Sequence, residues 1–320
     1  MAFKLRAGDR ITCSGASLEL SMMLGRGNFG EVWKCKDPAS RKDRAVKILR
    51  SDANLDAITH ELKMMQLAEE AHHRLFPNVP RIPEGFWSGE CDLEGPDGEY
   101  KGSALGLAME YVNGCSLARI LEGGPLVARV GHPVIHDVLK ALVAMGEHEI
   151  IHRDVKPANI LINTGGICYL ADWGTAYVWE LGAPQDIVGT PLYMAPEMVD
   201  TIPTRYASQV DIWSLGIVAY EIMVGHTPWR VGGVDLPNEE VWRKLRTLPK
   251  LSPMARYTDQ FVTEGDVDKY VKEFGYFIKT SLDPDDRPSP IKWYAPEHDG
   301  VFTCTLVSQR HALADLIPPL

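Results

Sequence analysis

About a third of the way along this chain the rhythm of hydrophobic and polar positions changes. Residues 31–36 (Glu-Val-Trp-Lys-Cys-Lys) alternate apolar and charged side chains, which predicts a strand returning from a hairpin. Residues 45–49 read as another strand, carrying the single lysine Lys47. Over residues 55–72 the period lengthens, with Leu55, Ile58, Leu62 and Met65 recurring at helical spacing. Residues 105–112 read as the last strand of this part, running into a connecting segment. Before it, residues 88–102 are polar, acidic and glycine-rich and predict a loop between two antiparallel strands. That loop is longer than a hairpin needs, so it reads as a surface insertion, with a docking feature as the alternative.

Beyond residue 112 the pattern turns helical. Ile135, Val138, Leu139, Leu142 and Val143 mark a helix over residues 133–148, and residues 212–224 are apolar nearly all round, as a buried central helix is. Asp211 is expected to open that helix as its N-cap. Residues 289–301 are interrupted by Pro290, Pro296 and Gly300; residues 302–307 are expected as a strand and 309–317 as a short helix. No function attaches to this tail by its pattern, and residues 3–11 are expected to extend the first lobe by packing.

Composition narrows the field. A chain of 320 residues is long for one core, so two lobes with a cleft between them are expected. There is no apolar run of membrane-spanning length, and residues 1–9 lack a signal-peptide core, so a soluble, cytoplasmic protein is expected. The six cysteines form no C-x-x-C pair, which favours free thiols over metal binding. A formal net charge of −10 argues against a nucleic-acid surface; it could favour basic substrates, but a scattered acidic excess is more often only a solubility feature.

The chemistry concentrates in residues 151–160 (IHRDVKPANI) and in Asp172-Trp173-Gly174, where a candidate base and two oxygen-bearing metal ligands fall within 19 positions. Asp154 could orient a hydroxyl and accept its proton, Lys156 could neutralise charge on a transferred phosphate, and Asn159 and Asp172 could hold magnesium against ATP phosphates. Upstream, Gly25-Arg26-Gly27-Asn28-Phe29-Gly30 and Val32 have the form G-x-G-x-x-G-x-V. A dinucleotide-binding fold would require a helix directly after these glycines, and a strand is predicted there instead. Glycine lets backbone N–H groups approach phosphate oxygens with no Cβ in the way. Lys47 reads by itself as an exposed strand lysine, but its distance behind the glycines makes it a phosphate-gripping candidate. Its carboxylate partner is expected on the helix that follows: Glu61 is preferred, because Glu69 and Glu70 would overshoot, and a solvated surface glutamate is the plain alternative.

Together these motifs resemble the eukaryotic-type (Hanks-type) protein kinase family, over residues 18–290 and in family order. The resemblance implies an α+β bilobal fold, with a small β-rich lobe over residues 1–110, of which 1–17 are an extension. A larger, mainly helical lobe over 111–290 and a divergent tail over 291–320 would follow. It implies that Asp154, Lys156, Lys47, Glu61 and Thr190 are catalytic. The nucleotide would be held by Gly25, Gly27, Gly30, Val32, Ala45, Lys47, Met109, Glu110, Val112 and Leu161. Met109 would stand at the gatekeeper position, which is compatible with its being a packed core methionine. Asn159 and Asp172 would hold Mg2+ or Mn2+, Asp211 would tie down the backbone of the His152-Arg153-Asp154 loop, and Glu197 would pair with Arg287. The expected partners are ATP, protein substrates and, as one source of regulation, a regulatory protein, with neither nucleic acid nor membrane.

Two departures from the pattern carry consequences. Trp173 replaces the usual phenylalanine of the metal-binding motif and is expected to plug the same apolar column, beneath Met65 and beside His152. The second concerns Arg153, which in many relatives receives an activation-loop phosphate. Residues 178–189 contain no serine, threonine or tyrosine, so Glu180 or Asp186 is expected to stand in as a built-in anion, or a partner to do the ordering. Lys156 two positions after Asp154, with Thr190 opening residues 190–197 (TPLYMAPE), resembles the serine/threonine branch. A nucleotide-binding scaffold without catalysis and a small-molecule kinase of related fold are the alternative readings.

Overall fold

Residues 5–26, 30–49, 55–76, 82–96, 98–99, 101–179, 182, 184, 186–199, 206–246, 269–283, 287–293 and 307–318 are described in a computed structural model. The chain forms two compact units, one of Met1–Glu69 and Pro83–Val112, the other of Glu70–Ile82 and Asn113–Leu320.

The first unit is a sheet of antiparallel strands: β1 (Arg10–Cys13), β2 (Ala16–Arg26), β3 (Gly30–Lys36), β4 (Asp43–Leu49), β5 (Gly85–Glu94) and β6 (Lys101–Glu110). They lie in the order β1-β2-β3-β4-β6-β5, and the short β1 also pairs along β5, which gives the expected N-terminal packing segment a defined place. Strand alternation sorts the side chains. Trp33, Val46, Ile48 and Ala108 enter one core with Ile11, Leu20, Cys35 and Leu93. The opposite set, Leu49 and Leu107 with Met109 against them, packs on Ile58 and Leu62 of helix α1 (Leu55–Leu75). Gly85 permits the same closeness, because a Cβ there would press on Leu62 and Met65 of α1.

The loop expected over residues 88–102 is shorter than that. Through Glu94 the chain is β5, because Cys91 and Leu93 point inward between exposed Glu90 and Asp92, and the connection proper begins at residue 95. The acids and glycines suggest a loop, but the two-residue period decides.

The second unit is mainly helical. A short strand β7 (Gly114–Ser116) leads to α2 (Leu117–Leu121) and α3 (Ala128–Glu147). The latter starts five residues before the expected position and contains Pro133 in its interior. One backbone bond near the start is forfeited there, yet residues 131–135 are all buried, and at Gly131 a Cβ would strike Ile222 and Phe274. Strand β8 (Ile150–Ile151) precedes the polar loop, and β9 (Ile160–Asn163) and β10 (Cys168–Leu170) form a hairpin paired to β7. Strand β11 (Tyr177–Val178) pairs with β8. Helix α4 (Gln209–Val224) is buried over almost its whole length, as its apolar sequence predicts. Its flanking residue is Ser208, not Asp211, which sits in the first turn and turns its carboxylate elsewhere. Asn238–Arg246 (α5), Lys269–Ser281 (α6), Pro290–Trp293 (α7) and Val307–Ala314 (α8) complete the α-helices among the described residues. The strand expected over 302–307 falls outside the described residues except for Val307, which opens α8; that helix begins two residues before the expected one and ends three before it. Among the described residues no helix is long and apolar enough to cross a membrane.

Candidate active site

In the first unit, Val32 on β3 stands opposite Lys47 on β4, and Ala45, two residues before Lys47, stands opposite Met109 on β6. These four candidates therefore share one face of the sheet. Gly25 pairs with Val32 near the turn between β2 and β3, and Gly30 begins β3 so close to Ile48 that a Cβ would collide with its carbonyl. Gly27 lies outside the described residues. Lys47 Nζ donates to both Glu61 oxygens at 2.8 Å, with the lysine side chain 14% and the glutamate 6% exposed. The sequence preference for Glu61 over Glu69 and Glu70 thus corresponds to a bidentate pair. Glu110, at the end of β6, donates its backbone N–H to Glu84 O and accepts the Glu84 N–H at its own side-chain Oε2, and burial raises its carboxyl above the usual range; Val112, two residues on, is half-buried.

In the second unit the polar loop between β8 and β9 is held from beneath by α4. Asp211 Oδ2 accepts from the backbone N–H of His152 at 2.7 Å and Oδ1 from that of Arg153 at 2.8 Å. These bonds sustain a strained turn, since Arg153 has φ +69°. Burial pushes the Asp211 carboxyl up to about 6, against the lowering effect of those two N–H groups and of Arg153. Burial also lowers His152, which accepts from Asp154 N at Nδ1 and so donates from Nε2 to Ala171 O, 3.1 Å away. Trp173 is fully buried and meets His152 edge to face with ring centroids 4.8 Å apart, on the side its motif position predicts.

Four of the candidate side chains converge on the loop. Lys156 Nζ donates to Asp154 Oδ2 and to Thr190 Oγ1, and Thr190 Oγ1 donates to Asp154 Oδ1, each at 2.7 Å. Asn159 Nδ2 donates to the Asp154 backbone oxygen at 2.9 Å and to Oδ2 at 3.1 Å. Asp154 is consequently fixed in orientation by three neighbours while 9% of its side chain stays exposed. Gly189, immediately before Thr190, has φ +107°, and a Cβ there would strike the Arg153 carbonyl oxygen; only glycine lets residue 190 come this close.

Asn159 and Asp172 are coupled through backbone: Ala171 N donates to Asn159 O at 2.9 Å. With Nδ2 of Asn159 turned to Asp154, its Oδ1 remains as an acceptor, and Asp172 is an exposed carboxylate at φ +65°. One carboxamide and one carboxylate oxygen form a hard donor set that suits a magnesium ion with waters and phosphate oxygens completing its shell. Leu161 on β9 is half-buried between fully buried Ile160 and Ile162. Beside Lys156 lies a cavity of about 310 Å³ lined by Leu121, Glu122, Pro157, Tyr193 and Glu221 among others.

Arg153 is buried and its guanidinium is occupied. NH1 donates to Asp186 Oδ1 at 2.7 Å and to Tyr206 OH at 3.2 Å, Nε donates to Thr175 O, and Tyr206 OH donates to Asp186 O. Of the two acids expected here, Asp186 is in contact and Glu180 lies outside the described residues. The part of Tyr206 carries no sequence signal, being 53 residues from Arg153 with no motif around it. At the segment's far end Arg287 NH1 and NH2 donate to the two Glu197 oxygens at 2.9 and 3.2 Å, and NH1 also reaches Gln209 O at 3.0 Å.

The sequence pattern of the family described as protein kinase domain matches residues 18–295. Serine/threonine-protein kinase ppk11 of Schizosaccharomyces pombe is 34% identical over 242 residues, 75% of this chain and 70% of that one. Serine/threonine-protein kinase PknB of Mycolicibacterium smegmatis is 32% identical over 249 residues, covering 75% of this chain but only 37% of its own length. Serine/threonine-protein kinase ULK3 of Xenopus laevis is 29% identical over 280 residues, 84% of this chain and 56% of its own. The chain thus spans well under two thirds of the length of the latter two relatives. With a match over both the strand-rich and the helical unit, the chain belongs to the protein kinase family, on its serine/threonine branch.

Proposed function

We propose that this chain transfers the γ-phosphoryl group of Mg-ATP to serine or threonine hydroxyls of protein substrates, without needing phosphorylation of its activation segment. The observation that carries the first half is the Asp154–Lys156–Thr190–Asn159 constellation. Asp154 accepts hydrogen bonds from an ammonium, a hydroxyl and an amide, which aim its remaining lone pairs, so an incoming hydroxyl can be oriented and its proton received as bonding to phosphorus develops. Lys156 Nζ is placed to meet negative charge on the moving phosphoryl group. Bound magnesium would neutralise phosphate charge, and Asn159 and Asp172 are the residues that would hold it. Lys47, held by Glu61, would grip the nucleotide phosphates, and Gly25, Gly30, Val32, Ala45, Met109, Glu110, Val112 and Leu161 would line the nucleotide's place. Most of the rate then comes from positioning and fixed electrostatics. The segment from Thr190 to Glu197, tied down at its far end by Arg287, is the part expected to shape a groove for a polypeptide, which favours a protein over a small-molecule substrate.

The second half is supported by the Arg153–Asp186 contact, which puts a carboxylate where a phosphate would otherwise neutralise the arginine. Phosphatase-treated enzyme should keep most of its rate on an added protein substrate, and Asp186→Ala, alone or with Glu180→Ala, should lower it. An initial lag abolished by autophosphorylation at Thr175 or Tyr177 would defeat this half. Absence of any transfer from labelled ATP with magnesium or manganese, beside an Asp154→Asn control, would defeat the whole.

A further inference from the structure

Asp137 on α3 has no exposed surface, and its carboxylate is reached from remote parts of the chain. Arg310 on α8 donates NH1 to Oδ2 at 2.7 Å and NH2 to Oδ1 at 2.8 Å, a fork on both oxygens. Oδ2 also accepts the backbone N–H of Cys168, the first residue of β10, at 3.0 Å, and His136 Nδ1 lies 2.8 Å from Oδ1. The same Arg310 NH1 reaches Gly166 O at 3.0 Å, in the turn between β9 and β10. Gly166 has φ +70°, and a Cβ on it would strike the Arg310 backbone, so α8 lies directly on that turn. Leu313 and Gln309, buried beside Arg310, anchor the helix.

This hairpin begins and ends at chemistry. Asn159 immediately precedes β9, Asp172 comes two residues after β10, and Ala171 N donates to Asn159 O. The ladder between the two strands is only three pairs long, Ile160 with Leu170, Leu161 with Tyr169 and Ile162 with Cys168. Asp172 is also held in the left-handed region, a conformation that persists only where the surroundings over-determine it. A short ladder with a strained residue at its exit needs fastening from outside. A fork between a half-buried arginine and a fully buried carboxylate is a costly fastener compared with apolar packing, and geometric specificity is what it offers in return.

We propose that Arg310 is a positioning residue for Asn159 and Asp172: from a helix beyond the family match, which ends at residue 295, it grips the far end of the β9–β10 hairpin through Asp137 and Gly166 and thereby sets the spacing of the two metal ligands. The metal arm of this inference rests on the proposed role of those two residues; the positioning arm does not. Arg310→Ala and Arg310→Lys in the full chain separate the two, read by amide hydrogen exchange without metal and by magnesium titration of binding of a non-hydrolysable ATP analogue.

For Arg310→Ala, exchange over residues 168–174 should quicken about ten-fold or more, local opening being selective, while α4 changes little. The magnesium concentration for half-maximal analogue binding should rise several-fold, since a metal site weakens when the groups that orient its ligands are lost. Lysine keeps the charge but not the fork, and should fall between. Equal acceleration throughout the second unit with an unchanged magnesium requirement would overturn the proposal, as would no change in either. Should Arg310→Ala fail to fold, Arg310→Lys is read by the same two measurements, and the same results support or overturn the proposal. If magnesium does not strengthen analogue binding even in the unaltered chain, the metal-ligand reading of Asn159 and Asp172 fails, and selective exchange still decides whether Arg310 holds the hairpin.

Discussion

Thr190 is one hydroxyl serving two charged groups, donating to Asp154 and accepting from Lys156. Hydrogen bonds to charged partners are worth about 1.5–3 kcal/mol, which corresponds to roughly a ten- to hundred-fold change in rate. Thr190→Ala should therefore lower kcat by that order with little effect on KM for ATP, and Thr190→Ser should restore it; an alanine variant within about two-fold of the parent in kcat would remove the hydroxyl from the mechanism. Asp211 makes a pH prediction of opposite kind. Its folded-state value of about 6 lies above the ordinary 3.8 because of burial, so between those values the folded chain binds a proton that the unfolded chain has released. This group accordingly favours folding most below about pH 4 and disfavours it progressively up to about 6, at about 1.4 kcal/mol per unit of separation. Function runs the other way, because a protonated carboxyl cannot accept well from both His152 and Arg153; Arg153 and Asp154 are the charged groups facing it. Protection of the residue 152 and 153 amides should fall as pH drops through about 6, while the Asp211→Asn chain should lose the corresponding downward slope of stability with rising pH. Protection that is constant from about pH 7 to about pH 5 would contradict this.

At the scale of elements, what was legible depended on how local its signal is. α1 could be read from its apolar spacing because a helix with one buried face writes its burial every three or four residues, and α4 from a nearly unbroken apolar run. The Lys47–Glu61 pair followed from a strand lysine at its motif distance behind the glycines and from a helix phase, and the loop chemistry from a motif of ten residues. Strand β5 was hidden because its inward residues are few and set among acids and glycine, and the start of α3 because Pro133 resembles a first-turn proline when it is an interior one. Pairings with no local period, such as Arg310 with Asp137 across 173 residues, leave no mark that a sequence pattern can carry. Glu197 with Arg287, separated by 90 residues, could be named only through resemblance. That pair also makes an asymmetric prediction. The Arg287 side chain is 2% exposed and Glu197 29%, so Glu197→Ala leaves a buried guanidinium with Gln209 O as its other acceptor. Losing one partner of a buried pair costs about 3–5 kcal/mol; Glu197→Gln, which keeps a hydrogen-bonding oxygen, should cost distinctly less. Equal urea midpoints for the two variants would mean that charge at Glu197 does not matter to the segment's anchor.

For the whole molecule, stability and catalysis draw on overlapping residues, and the two units make it possible to separate them. The family match spans both units, and the proposed site residues are divided between them, Lys47 in the first and Asp154, Asn159 and Asp172 in the second, while each unit has packing of its own. Lys47→Met should abolish transfer, yet the sheet cannot be indifferent to it, since the change robs buried Glu61 of the cation bonded to both of its oxygens. Breaking such a pair costs about 3–5 kcal/mol, here toward the lower end because 14% of the lysine side chain already meets solvent. A dead Lys47→Met enzyme alone would therefore leave two causes entangled. The double change Lys47→Met with Glu61→Gln also removes the glutamate's charge, and should recover most of the lost unfolding free energy in urea while transfer to a protein substrate stays absent. Recovery of transfer along with stability would show that Lys47 serves only to neutralise Glu61, and the phosphate-gripping role would have to be given up.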